Sequence, residues 1–162
     1  MKHLTHIIII SFALLSCHQN DLPEIKDPIE KPEPLTEIDN AISRMCSDTV
    51  EGKIIGSCWA RESKIYAQFE HINSLSSDND LIALTNHSKA NIRAYAFWFL
   101  AKRKSPKIKE VYKTMLNDTG EITLRYKSEQ WIYKVSDFCE FVLRPNDFDN
   151  STCKYSAEEL QM

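Results

Sequence analysis

The sequence predicts an all-α domain, and three observations carry that reading. The stretch from Asn91 to Lys104, NIRAYAFWFLAKRK, is apolar on nearly every side when wound into a helix. Ile92, Ala96, Phe99 and Leu100 share one face, while Ala94, Phe97, Trp98 and Ala101 cover the opposite one, so neighbours must cover it on several sides. Glycine is scarce, at 3 of 162 residues; that disfavours a sandwich or barrel with many tight turns and suits helices joined by short polar loops. Helix-starting residues also precede apolar runs of helical period, as at Ser76-Ser77-Asp78 and Ser105-Pro106.

A hydrophobic content of 43% with 10% aromatics is enough for one real core. The charge balance is mildly acidic, 20 basic against 23 acidic side chains. A nucleic-acid binder carries a basic face, so nucleic acid is a poor fit as a partner.

Four segments follow from the N-terminus. Met1-Lys2-His3 is a short positive start, and Ile7 to Leu15 is an apolar core far short of the roughly 20 residues that span a bilayer. That is the layout of a secretory signal over residues 1–16. It closes on Leu14-Leu15-Ser16-Cys17, which resembles the lipobox of bacterial lipoproteins. The resemblance implies cleavage after Ser16 and acylation of Cys17, which then anchors the chain in the lipid bilayer by more than one acyl chain. The next residue is His18 rather than Asp, which by enterobacterial sorting rules favours the outer membrane and leaves the leaflet open. Residues 17–35 carry Pro23, Pro28, Pro32 and Pro34, which block a continuous helix and favour an extended tether.

Residues 36–145 form the expected helical domain, and 146–162 a polar tail. Ile38, Ile42 and Met45 have helical spacing behind a possible Thr36 cap. Ser47 to Gly56 reads as a polar loop. Ile65, Phe69 and Ile72 mark an amphipathic helix within Trp59 to Leu75, and Leu81 and Leu84 mark another running to about Asn86. Ile108, Val111, Tyr112 and Met115 form the inner stripe of the helix after Pro106. Asn117 to Gly120 reads as a turn, and Glu121 to Val135 as a helix through Leu124, Trp131, Ile132 and Val135. Phe138 to Leu143 is a last short helix.

An echo within 77–135 sharpens the expectation. Aligning Leu84 with Leu116 places Ile92 on Leu124, Arg93 on Arg125, Phe99 on Trp131 and Leu100 on Ile132. Each unit has a polar turn, with Asn86 or Asp118, before an apolar–Arg pair. The pattern resembles the HEAT and armadillo class, which implies a short right-handed stack of helical repeats. By that resemblance Arg93 and Arg125 are structural, their guanidinium groups bridging turn groups of neighbouring repeats.

Among residues with chemistry, Gly56-Ser57-Cys58-Trp59-Ala60 resembles the nucleophile segment of papain-like cysteine proteases. The rest of that constellation is missing: Glu51-Gly52-Lys53 stands where an oxyanion-hole Gln is needed, and no His lies far enough downstream. With Cys17 set aside, Cys46, Cys58, Cys139 and Cys153 are an even number in an exported chain, which suggests disulfides. Proximity favours Cys46–Cys58 and Cys139–Cys153, though four cysteines allow three pairings. No CxxC or close Cys–His spacing supports a metal site, and no cofactor is expected. The function these features suggest is a membrane-anchored, non-enzymatic module of the bacterial envelope that binds an unidentified protein. The alternatives are a toxin-binding, immunity-type lipoprotein and an exported thiol enzyme using Cys58.

Overall fold

The structure is a computed structural model that describes residues 36–45, 48–55, 61–145 and 148–160; the leader, the lipobox and the tether lie outside them. In chain order its elements are α1 (Glu37–Ser43), β1 (Thr49–Ile55), β2 (Arg61–Glu62), α2 (Lys64–Leu75), α3 (Asp78–Leu84) and α4 (Ala90–Lys102). They continue with α5 (Ile108–Met115), β3 (Glu121–Lys127), β4 (Glu129–Lys134), α6 (Val135–Leu143) and α7 (Ala157–Leu160). The fold is mixed, and the expected all-α stack of HEAT-like repeats is incorrect: a four-stranded sheet in the order β2-β1-β3-β4 runs through the domain.

Two stretches account for the correction. Glu121 to Val135, expected to be a helix, is mostly the hairpin β3–β4. Its segments ITLRYK and QWIYK are dense in β-branched and aromatic side chains, which suit a pleated surface. Burial in β3 has the two-residue period of a strand, with Ile122 and Leu124 inward. The helical stripe through Leu124, Trp131, Ile132 and Val135 matched four positions by coincidence, and Trp131 and Ile132 are exposed. The stretch matched to the first repeat's long helix is therefore a hairpin. Thr49 to Ile55, expected to be loop, is the strand β1. Glu51 and Gly52 hide its alternation, and its register with β3 shifts between Glu51 and Ile55.

β1 and β3 run parallel, with Val50 opposite Leu124, and α2 to α5 form the crossover between them. The helical signals that were local in sequence are seen in place. Thr36 with Asp39, and Ser77 with Asp80, close capping boxes on α1 and α3. Ser63 accepts the Tyr66 amide, so α2 begins there and not at Trp59. In α5 the expected stripe Ile108, Val111, Tyr112 and Met115 is buried.

α4 is the core. From Asn91 to Ala101 every residue except Arg93 is buried. Its end is closed by Lys104 at φ 54°, with Lys104 N–H donating to Ala101 C=O and Ser105 N–H to Leu100 C=O, both at 3.1 Å; this paired arrangement satisfies carbonyls that a helix end otherwise leaves open. Around α4 lies a continuous set of aromatic contacts. Phe69 stacks on Tyr95 at 4.8 Å, and Tyr66 meets Trp98 edge-on at 5.4 Å. The polar tail contributes too: Phe148 lies 4.7 Å from Trp98, and Cys153 N–H donates to Ala101 C=O at 3.0 Å.

One polar contact ties α4 to the sheet. The Tyr95 hydroxyl accepts from the Glu51 N–H at 2.7 Å and donates to the Glu51 C=O at 3.1 Å. Burial drives the Tyr95 pKa far up, so the group stays neutral. Tyr95→Phe would leave a buried donor and acceptor in β1 without their partner. The expected loss is about 1–3 kcal/mol in urea denaturation, and an unchanged unfolding midpoint would contradict this role.

Candidate functional site

Among the sequence-predicted residues, the two arginines enter structural pairs, two cysteines are free thiols, and three cysteines lie outside the described residues. Arg93, in the first turn of α4 with a side chain only 16% exposed, reaches two turns at once. Its Nε and Nη2 donate to the two carboxylate oxygens of Asp118 at 2.6 and 2.7 Å. Its Nη1 donates to the carbonyls of His87 at 2.9 Å and Ser88 at 3.0 Å. A rigid guanidinium fork suits such a task. Gly120 belongs to the same clamp, because a Cβ there would lie 2.3 Å from Arg93 Nη2. Arg125 is not in an equivalent place: from β3 it donates through Nη1 to Glu51 at 3.5 Å and through Nε to Gln130 at 3.0 Å. Glu51, buried in β1, also accepts from Ser63 Oγ at 2.5 Å.

Cys17, Cys46 and Cys58 lie outside the described residues. Cys139 and Cys153 are both free thiols. Complete burial on α6 raises the Cys139 pKa well above the ordinary thiol value, which opposes thiolate formation.

Two features that sequence reasoning did not single out stand apart from these pairs. The first is the outer edge of β4. Thr123 N–H donates to Asp48 C=O, on the β1 side of β3. Alternation then directs Ile122, Leu124 and Tyr126 toward β4, where they oppose Tyr133, Trp131 and Glu129. The backbone groups of Gln130, Ile132 and Lys134 therefore point outward, at the end of the sheet order. Trp131 and Ile132 on this edge are 39% and 73% exposed.

The second is a cavity of about 360 Å³ beside the C-terminal end of α4. Among the described residues it is lined by Tyr66, Trp98 and Tyr126, by Lys53, Lys102 and Lys127, and by Asp149. Lys102 Nζ donates to the Tyr66 hydroxyl at 2.6 Å and lies 3.6 Å from Asp149. It also sits over the Tyr66, Trp98 and Phe99 rings at 5.3, 5.8 and 5.4 Å, a favourable place for a cation. Desolvation opposes the Lys102 charge, but the Tyr66 hydrogen bond and Asp149 prevail and raise its pKa. For Asp149 burial likewise opposes ionisation; hydrogen bonds from Ser151 and Trp98, with the Lys102 charge, hold its pKa below the ordinary aspartate value. The cavity could not be read in sequence because its residues come from distant segments. The hairpin had a usable signal in its two β-rich runs separated by two residues.

No protein-family model matches the chain, and no curated protein matches it.

The Arg93 clamp yields a stability prediction with a defined pH dependence. Burial is the largest influence on Asp118 and raises its pKa; hydrogen bonds from Arg93 and Gly120, with the Arg93 charge, outweigh it and leave the value depressed. A depressed carboxyl contributes stability that is complete above the ordinary value of 3.8 and is lost as pH falls through the lower folded value. Arg93→Ala should cost about 3 kcal/mol near neutral pH, the lower end of what removing one member of a buried pair costs. The gap from wild type should narrow in acid. Thermal or urea unfolding showing a gap that is absent at neutral pH, or constant into acid, would contradict the clamp.

Proposed function

We propose that the chain is a lipid-anchored, non-enzymatic protein of the bacterial envelope that docks an extended segment of a partner protein along β4. The anchor rests on Leu14-Leu15-Ser16-Cys17 behind a short positive start and an apolar core. Docking rests on one observation: β4 is an edge strand with outward backbone groups at Gln130, Ile132 and Lys134, and its Ile132 side chain is 73% exposed.

Sheet edges invite pairing with other chains, and natural proteins blunt them with prolines, inward charges or coverings. β4 has no proline, and its charges, Glu129 and Lys134, sit at its ends. Its centre offers Trp131 and Ile132 on opposite sides of the strand. Strand addition uses both kinds of group: the backbone supplies hydrogen bonds, and alternate side chains select the partner. The fitting partner segment is extended, with apolar residues at alternate positions and a carboxylate to meet Lys134. The charged groups inside the domain support binding over catalysis, since Arg93–Asp118, Arg125–Glu51 and Lys102–Asp149 are engaged in pairs.

The test is chemical crosslinking in bacteria expressing the full chain, followed by capture from the membrane fraction. Ile132→Lys places a charge on the exposed edge and should change stability by no more than about 0.5 kcal/mol. It should abolish recovery of the partner, while Cys17→Ser should prevent fatty-acid incorporation and release the chain from membranes. Equal partner recovery with Ile132→Lys would contradict edge docking, and label retained by Cys17→Ser would contradict the anchor.

A further inference from the structure

We infer that the cavity at the C-terminal end of α4 is a binding site for a phosphate monoester, held by Lys53, Lys102 and Lys127 beside Tyr126. The site is separate from the β4 edge and goes beyond the docking role.

Its size falls in the range of small-molecule sites, which are concave, largely apolar and furnished with a few convergent polar groups. Charge defines the ligand. Among the described residues the cavity is lined by three lysines and one aspartate, in a chain whose net charge is −3. Asp149 is already committed: its Oδ1 accepts from Ser151 N–H at 2.9 Å and Ser151 Oγ at 2.6 Å, and its Oδ2 from Trp98 Nε1 at 3.1 Å. It neutralises Lys102 beside it. Among the described residues Lys53 and Lys127 have no carboxylate partner. Two positive charges are thus left over, and a phosphate monoester carries about −1.5 to −2 at neutral pH.

The kind of cation also suits such a ligand. Lysine is a compact point charge that serves as a phosphate binder. The cationic residues described in the lining are all lysines. Lys102 is pre-set by its hydrogen bond to Tyr66 and by the rings around it, so little ordering remains when a ligand arrives. Lys127 has φ 57° in the two-residue turn of the β3–β4 hairpin, a conformation that favours glycine. A lysine in that position holds backbone strain and brings its ammonium to the cavity, 5.4 Å from the Tyr126 ring. Tyr126 is half-buried, and its ring lines the cavity where the organic part of an ester would lie.

The ester could be soluble or the headgroup of a lipid, and the test separates the two. Full-length protein carrying Cys17→Ser is titrated calorimetrically with phenyl phosphate. It is then mixed with phosphatidylcholine vesicles, plain or doped with phosphatidic acid, and floated. Phenyl phosphate should bind saturably, and Lys53→Gln with Lys127→Gln should weaken it about tenfold or more. Lys127→Gly provides a second variant that removes the ammonium while supplying the residue the turn prefers, and it should weaken binding without loss of thermal stability. Lysine-dependent flotation with doped vesicles alone would assign the site to a lipid headgroup, and saturable phenyl phosphate binding would assign it to soluble esters. Failure of both probes to bind, or binding unchanged by the lysine substitutions, would overturn the inference.

Discussion

A helix without a polar face cannot lie on a surface, and that constraint organises this protein. α4 buries aromatic and aliphatic side chains all round, each contributing about 1.5–3 kcal/mol when fully removed from water. Helices on some sides meet part of the demand. The sheet meets the rest, with β1 and β3 both packed against α4. Where the helix meets β1, the Tyr95 hydroxyl serves both backbone groups of Glu51, so an irregular stretch of strand is buried without orphaned polar atoms. The contact is small, but it lets an apolar helix and an interrupted strand share one core.

The same helix places the polar features. Its first turn sends out Arg93, which holds the turns before α4 and after α5 in one arrangement. Its C-terminal end brings Lys102 to the surface beside Trp98, where the tail supplies Asp149 and Phe148. The tail is therefore part of the core and of the cavity wall. β3 connects the two features, since its end supplies Tyr126 and Lys127 to the cavity and its far side carries β4, the last of the described strands in the sheet.

What was legible in the sequence was local. Capping by Thr36 and Ser77, the all-round apolarity of α4 and the stripe of α5 each follow from residues a few positions apart. What escaped depends on distant partners. Glu51 looked like a loop residue because its burial is made possible by Ser63, Tyr95 and Arg125. The hairpin escaped because four apolar residues happened to fall at helical spacing, and because its turn is Lys127-Ser128, without the glycine or asparagine that marks such turns. Arg93 joins two turns beside α4, while its supposed echo Arg125 serves a sheet contact. The cavity escaped for the same reason as Glu51: Lys53, Lys102 and Asp149 converge only after folding.

The central claim is that residues 121–134 form a hairpin whose last strand ends the sheet among the described residues, and amide hydrogen exchange followed residue by residue tests it most directly. The account predicts alternation along β4: Glu129, Trp131 and Tyr133 protected by β3, and Gln130, Ile132 and Lys134 exchanging quickly. Uniform protection across 121–134, as a helix or a covered edge would give, would contradict it.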